Sequence, residues 1–409
     1  MQVSAIELIE RNRGGGNSGP SRAVRGGRGD VSPGSDPAPH LLHVFPSYGH
    51  GGVPIRIATV INHFGSRYRH TILALDGNTA AESRLDPALR IPVGDPGIDK
   101  GRPVASFFRI RRMLAACRPD LLLTYNWGAV EWALANRFLR IAPHMHLESG
   151  FGPEEADGQI PRRVRFRRFA LANIDRLLVP SDTLVSIARD IWRIDPGKVI
   201  HVPNGVDCAL YAHPGDTAAA PGFVRREREV VVGTLAPLRP EKNLHRLLRA
   251  FARIAPRHDA RVLIAGDGSE RPGLETAARH LGIAERVVFV GHVEEPHKVY
   301  PLMDVFAISS DTEQMPNTLI QAMAASRPVA GVDVGDVKVN LSPANRELIV
   351  ARSDETGFAA ALDRLIADAR LRAALAEANR RHVVDTYSAE RMFAEYGKAF
   401  DSLIASGGS

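Results

Sequence analysis

The sequence predicts an α/β protein made of two doubly wound, Rossmann-like domains that face each other across a cleft. Three observations carry this. A chain of 409 residues is longer than one ordinary hydrophobic core organises. From residue 40 onward, short β-rich runs alternate with helix-length amphipathic segments, the pattern of a parallel sheet covered by helices on both faces. The alternation breaks off after residue 210 and restarts at residue 230.

Residues 1–39, which include "RNRGGGNSGPSRAVRGGRGDVSPGSDPAP", have almost nothing to bury and read as a disordered leader. Their Arg-Gly pairs are few and lack interleaved aromatics, so no nucleic-acid partner is expected. In the first domain, 40–210, "HLLHVF" leads through "PSYGHGG" to a helix with Val53, Ile57, Val60, Ile61 and Phe64 on one face. "RHTILALD", "DLLLTYNW", "HMHLES", "RLLVPS" and "KVIHVP" supply further strands. A Pro, Gly and Ala stretch over 211–229 suits an interdomain linker. The second domain, 230–387, repeats the scheme with "EVVVGTLA", "ARVLIAGDG", "RVVFVGH", "DVFAISS" and "RPVAGVDVGD", and a last helical segment and tail occupy 388–409.

The composition, 44% apolar and 24% charged, is that of a soluble globular protein, and no run of about 18 apolar residues occurs. The N-terminus lacks an apolar stretch of signal-peptide length, so a cytoplasmic location is expected. Cys117 and Cys208 are the only cysteines, which argues against a disulfide framework or a zinc site. Residues 41–207 carry 22 basic and 16 acidic side chains, whereas 208–409 carry 25 and 26. The densest basic cluster, "PRRVRFRRFALAN" at 161–173, fits peripheral contact with an anionic inner membrane surface or, equally simply, a solvated helix face.

Open parallel sheets bind ligands beyond the carboxyl ends of their strands, so the strand-end loops are where chemistry is expected. Gly51 and Gly52 let backbone approach a ligand beside a helix start that holds anions, or form a plain tight turn. Arg239 and Lys242 precede a helix and fit a phosphate, or are solvated charge. In "SSDTEQMPNTLIQAMAASRP", Met315, Pro316, Asn317 and Thr318 mark a helix start whose amides point into the cleft, with proline in the first turn. Glu313, just ahead of it, can accept from sugar hydroxyls or serve only as a helix-dipole charge. Gln321 lies among Leu319, Ile320, Met323 and Ala324 and needs a polar partner.

Taken in order, "GGVPIR", "VPNGVD", "RPEKN", "AGDGSERPGLE", "VVFVGH" and "DVFAISSDTEQMPNTLIQAMAASRPVAGVDVGD" resemble the family-four glycosyltransferases of the GT-B fold, over residues 41–405. The resemblance implies a retaining, nucleotide-sugar-dependent transferase and a C-terminal helix, "YSAERMFAEYGKAFDSLI", that crosses back onto the first domain. It also implies a donor diphosphate near Lys242 and Pro316, with Glu313 at the donor sugar as the first glutamate of the family's pair. Three positions depart from the pattern. Gln321 stands where the second, ribose-binding glutamate is expected, and Pro237 stands where a diphosphate-binding arginine is usual, which Arg239 would replace. Ser149 stands where many relatives carry histidine, leaving His146 and Glu148 as cleft-facing candidates on the acceptor side.

The expected reaction is transfer of a hexose-type sugar from a nucleoside diphosphate to a hydroxyl of a glycan or lipid-linked acceptor in polysaccharide or glycoconjugate synthesis. Lys242, Arg239, the Gly51-Gly52 amides and the 316–318 helix start would stabilise charge on the departing diphosphate. No metal ligand set and no cofactor beyond the nucleotide sugar are expected. A non-catalytic nucleotide-sugar-binding protein, and an epimerase or phosphorylase on the same scaffold, are the rival readings.

Overall fold

The computed structural model describes residues 38–99, 101–151, 153–155 and 158–407. The expected leader lies outside the described residues as far as residue 37. Strands β1 (His40–Phe45), β2 (Arg69–Ala74), β3 (Val93–Gly94), β4 (Leu121–Tyr125), β5 (His144–Leu147), β6 (Arg176–Val179) and β7 (Val199–His201) form the first sheet. Its order is β3-β2-β1-β4-β5-β6-β7, parallel throughout. Helices α1 (Gly52–Phe64), α2 (Pro103–Cys117), α3 (Val130–Leu139), α4 (Pro161–Ala170) and α5 (Asp182–Ser186) connect them. The strands show no inside-outside alternation, β1 being buried at every position, because helices cover both faces.

The second sheet has the order β10-β9-β8-β11-β12-β13 and is also parallel. Its strands are β8 (Val230–Leu235), β9 (Ala260–Ala265), β10 (Val287–Gly291), β11 (Val305–Ile308), β12 (Val329–Asp333) and β13 (Ile349–Ala351). Helices α6 (Leu244–Ile254), α7 (Arg271–His280), α8 (Pro296–Val299), α9 (Asn317–Ala324), α10 (Val337–Asn340), α11 (Glu355–Ala367) and α12 (Ala369–Thr386) wrap it. Strand order reverses between β1 and β4 in one sheet and between β8 and β11 in the other. The loops that leave these strands therefore splay apart and open a crevice.

The stretch expected as a linker packs onto the second domain, whose core takes in Tyr211, Ala220 and Phe223. Helix α13 (Ala389–Gly407) does cross back. Met392, Phe393, Tyr396, Phe400 and Leu403 join Leu41, Phe45, Ile57 and Ile61 in one buried cluster of the first domain. The two chain crossings touch: Val206 N–H donates to the Tyr387 carbonyl at 2.9 Å, and Ala389 N–H donates to the Val206 carbonyl at 3.0 Å. Gly205 is required there, since a Cβ would sit 2.9 Å from both the Ala389 Cα and the Ser388 oxygen.

The first sheet buries an unusual number of imidazoles. His43 Nε2 and His70 Nδ1 are 2.9 Å apart, and His43 Nδ1 is 2.8 Å from the Tyr125 hydroxyl. Thr124 Oγ1 lies 2.8 Å from both His144 Nε2 and His146 Nδ1. Burial, then the neighbouring His40, pushes the pKa of His70 down to about 3; burial, then His146, does the same to His144. His43 is lowered by burial and by His70 and His40. All three are neutral when folded but take a proton near pH 6.5 once unfolded. Their contribution is thus complete above pH 6.5 and is lost as the solution is acidified toward the folded values. Urea unfolding should show stability falling by about 1.4 kcal/mol per pH unit below 6.5 for each such histidine. Equal unfolding free energies at pH 7.5 and 5.5 would contradict this.

Candidate active site

Adjacent strands β8 and β11 bring together two loops far apart in sequence, 236–243 and 309–316. Asp311 N–H donates to the Glu241 carbonyl at 2.8 Å, and the Ser309 hydroxyl donates to the Lys242 carbonyl at 3.0 Å. Arg246, buried at the start of α6, donates from Nη1 to the Ser309 carbonyl at 2.6 Å and from Nη2 to Asp311 Oδ1 at 2.7 Å. Asn243, held at φ 41, caps the same helix with its Oδ1 and donates from Nδ2 to Asp311 Oδ2 at 3.0 Å. The zipped loops fix Lys242 Nζ 2.6 Å from Glu313 Oε1, with the two side chains only 19% and 11% exposed. Ser310 also donates to Oε1, at 2.7 Å. The second Glu313 oxygen, Oε2, accepts no hydrogen bond from the described residues.

These groups line one pocket with Thr234, Ala236, Pro237 and Thr318. Pro237 thus presents an apolar ring where the resemblance implied an arginine, and the exposed Arg239 is not among the lining residues. Behind the pocket, Gly266 lies at φ 132 against the Ala236 carbonyl, where a Cβ could not fit, so the "AGDG" loop sets the height of the 236–238 backbone. Pro316 is the N-cap residue of α9 rather than part of its first turn: its ψ of 120 is extended, and the helix begins at Asn317. The amides of Asn317 and Thr318 have no intrahelical acceptor, and Thr318 lines the pocket. Gln321 finds its partner in the Tyr300 hydroxyl, which donates to Oε1 at 3.0 Å.

From the first domain, Gly52 opens α1 with its backbone turned toward the donor-side helix, and a Cβ there would lie 3.1 Å from Asn317 Nδ2. Gly51 is the extended N-cap. A buried relay joins the two domains below them. Arg56 donates from Nη1 to Asn204 Oδ1 and from Nη2 to the Ser149 hydroxyl at 2.8 Å. Asn204 Nδ2 donates to the Met315 carbonyl at 3.0 Å. Asp336 makes a second tie, accepting from the amides of Asp182 at 2.6 Å and Thr183 at 3.2 Å and from the Thr183 hydroxyl. Its neighbour Gly335, at φ 52, packs directly on the Glu313 carbonyl.

His146 and Glu148 do not face the cleft. Strand alternation turns 144, 146 and 148 to one side of β5, under α4, and both side chains have no exposed surface. Glu148 Oε2 lies 3.9 Å from His146 Nε2 and 3.9 Å from Arg167 Nε. The cleft wall is formed instead by Asn126, Trp127, Ser149, Gly150, Phe151 and Glu154, with Arg163 and Arg167 behind. The basic cluster is correspondingly turned inward. Arg167 is buried in a bidentate pair with Glu155, both bonds 3.1 Å, beneath Trp127, Phe151 and Trp192. Arg163 binds Glu154 at 2.6 Å and Arg168 binds the Ile191 carbonyl at 2.8 Å, leaving Arg162 and Arg165 exposed. Among the described residues, no group of three His, Cys, Asp or Glu side chains could hold a metal ion.

Residues 50–210 match the model of Glycosyltransferase Family 4, and residues 227–368 match that of Glycosyl transferases group 1. The chain belongs to the family-four glycosyltransferases. Curated relatives include D-inositol 3-phosphate glycosyltransferase of Stackebrandtia nassauensis, 29% identical over an alignment of 323 residues that covers 70% of this chain and 70% of that protein. N-acetyl-alpha-D-glucosaminyl L-malate synthase of Bacillus anthracis is 25% identical over 60% of this chain and 65% of its own length. Among solved structures, sucrose-phosphate synthase of Thermosynechococcus elongatus aligns with a TM-score of 0.75 at 17% identity, covering 90% of this chain and all of the other. HepE of Anabaena, solved in complex with UDP-glucose, also gives 0.75 at 17% identity, with 89% of this chain and all of that one covered. These likenesses establish the GT-B fold for the glycosyltransferase.

Asp336 ties the donor-side loop to the first domain through a charged acceptor with three donors. Asp336→Ala is expected to cost about 2 kcal/mol in denaturant unfolding and to increase the radius of gyration seen by small-angle scattering. An unchanged radius would show that the tie does not hold the domains together.

Proposed function

We propose that this glycosyltransferase moves a hexose-type sugar from a nucleoside diphosphate to a hydroxyl of a glycan or lipid-linked acceptor, with retention at the anomeric carbon. The observation that carries the reading is the Lys242–Glu313 pair, 2.6 Å apart beside the open amides of α9. In the transition state, negative charge collects on the departing diphosphate while the sugar becomes cationic. An ammonium and two helix amides already in place stabilise that charge without reorganisation. Glu313 then has two tasks at two oxygens. Oε1 orients Lys242 and Ser310, and Oε2 is available to sugar hydroxyls.

The departures from the family pattern have direct consequences. With Pro237 in the pocket wall, the diphosphate leans on Lys242, on the 317–318 amides and on the Gly51-Gly52 backbone. With its Oε1 taken by Tyr300, Gln321 offers a nucleotide its amide protons, so it donates to ribose oxygens where a carboxylate would accept. The acceptor sits in the first-domain pocket formed by Asn126, Trp127, Ser149, Phe151 and Glu154, whose Gly150 packs against Gln314, the neighbour of Glu313. The organic cation and helix end take the role of a metal, so the reaction needs no metal or other cofactor, and EDTA leaves its rate unchanged. Work on a lipid-linked acceptor places the enzyme in the cytoplasm, peripheral at the inner face of the membrane.

Thermal shift against a panel of nucleoside diphosphates and their sugars, beginning with UDP and UDP-glucose, identifies the donor. A ligand at 100 times its Kd stabilises the folded state by about 2.7 kcal/mol. Lys242→Ala is expected to abolish the shift. Glu313→Gln is expected to keep nucleotide binding but lower kcat about 100-fold or more, the scale of losing a preorganised contact to developing charge. Labelled donor that yields only free altered sugar, or an inverted anomer in the product, would overturn the reading.

A further inference from the structure

The outer layer of the first domain carries a surface that the donor and acceptor pockets do not use. Helices α2, α3 and α4 pack side by side, α2 on α3 and α3 on α4. Each buries one stripe against the sheet, α2 through Ser106, Ile110, Met113, Leu114 and Cys117. The opposite faces are not polar. Val104 is 70% exposed, Phe108 60%, Phe138 58% and Phe169 49%. The phenyl rings run continuously across the three helices: the Phe107 and Phe138 centroids are 6.1 Å apart and those of Phe138 and Phe169 are 6.4 Å apart.

Arginines frame this strip. The segment from Arg102 to Arg118 contains five of them and no carboxylate. Arg111 lies over the Phe107 and Phe108 rings, and Arg137 lies 4.3 Å over Phe169. Asp99 and Asp175 neutralise Arg102 and Arg140. Arg111, Arg112, Arg137, Arg162 and Arg165 form no ion pair with the described residues; Arg137 Nη1 donates to the Phe169 carbonyl, which holds it beside that ring. A face this basic repels a second copy of itself, which rules out self-association as its natural use. Large exposed aromatics among unpaired guanidinium groups match the boundary of an anionic bilayer, where rings enter the acyl edge and cations meet phosphates.

We propose that the face formed by α2, α3 and α4 docks the protein on an anionic phospholipid surface, with Phe108, Phe138 and Phe169 inserted and Arg111, Arg112, Arg137, Arg162 and Arg165 on the headgroups. This names the surface for the membrane-facing reading above and rests on that reading for its occupant alone. It differs from the basic cluster of 161–173 as a unit, because Arg163 and Arg167 of that cluster are consumed by Glu154 and Glu155. Arg163 lines the acceptor pocket, and Phe169 follows on the same helix about 9 Å further along its axis. Docking by this face therefore brings the acceptor pocket to within two helical turns of the headgroups.

The test is co-sedimentation of the full chain with vesicles of phosphatidylglycerol and phosphatidylcholine, and with phosphatidylcholine alone. Binding to the anionic vesicles only, weakened at high salt, is expected. Phe108→Ala/Phe138→Ala/Phe169→Ala and, separately, Arg111→Ala/Arg112→Ala/Arg162→Ala/Arg165→Ala should each lower the bound fraction tenfold or more. Both variants should keep the wild-type melting temperature and the wild-type thermal shift with UDP. Absence of vesicle binding, binding equal in wild type and both variants, a dimer in sedimentation that the phenylalanine variant dissolves, or capture by RNA in place of vesicles would overturn the proposal. Vesicle binding without any nucleotide shift would leave this surface standing and remove the proposed donor site, so the two failures are distinct.

Discussion

Everything at the candidate site depends on one topological constraint, the adjacency of β8 and β11 in a parallel sheet whose strand order reverses at that point. The loops leaving these strands have no covalent neighbour in common, yet they must share the same edge of the sheet. Arg246 turns that proximity into a fixed geometry by holding the Ser309 carbonyl and the Asp311 carboxylate at once. A planar guanidinium with donors on two sides is suited to this, and a lysine would hold only one of the two. Lys242 and Glu313 inherit their 2.6 Å separation from that frame. Their pairing keeps both groups in the pocket, each partly desolvated.

The first domain contributes backbone more than side chains. Gly52 approaches Asn317 because it carries no Cβ, which would lie 3.1 Å from the Asn317 Nδ2. Arg56, four residues on and on the inner side of α1, anchors the same helix through Asn204 to the Met315 carbonyl. The start of the donor-side helix is thereby positioned from both domains. The Asp336 carboxylate acts similarly on the far side, capping the short α5 from across the boundary.

The two-domain α/β architecture was legible because parallel strands covered on both faces read as continuous apolar runs, and "HLLHVF" and "DLLLTYNW" do so. Lys242, Glu313 and Thr318 line one pocket because each stands at a strand end or helix start, which local sequence encodes. What sequence could not show was direction. His146 and Glu148 sit at the end of β5 but on the face that α4 covers, and no local signal says which face that is. The arginines of α4 looked like one surface cluster, yet Glu155 and three aromatic rings from separate segments draw Arg167 inside. Asn204 and Asp336 lay in plain view within "VPNGVD" and "VGD", and their role arises only where two domains meet. The exposure of Phe108 and Phe138 is not legible locally, because hydrophobic residues at helical spacing read as core.

The return of α13 to the first domain has a consequence for how the protein is made. Met392, Tyr396, Phe400 and Leu403 complete a wall of the cluster that Leu41 and Phe45 begin. On the ribosome, the domain synthesised first cannot close its interior until residues near 403 have emerged, after the second domain has already had its full sequence available. The amino-terminal half must therefore wait, with apolar surface uncovered, for a segment made after the second domain. Its dependence on a chaperone during synthesis should exceed that of the half that follows it.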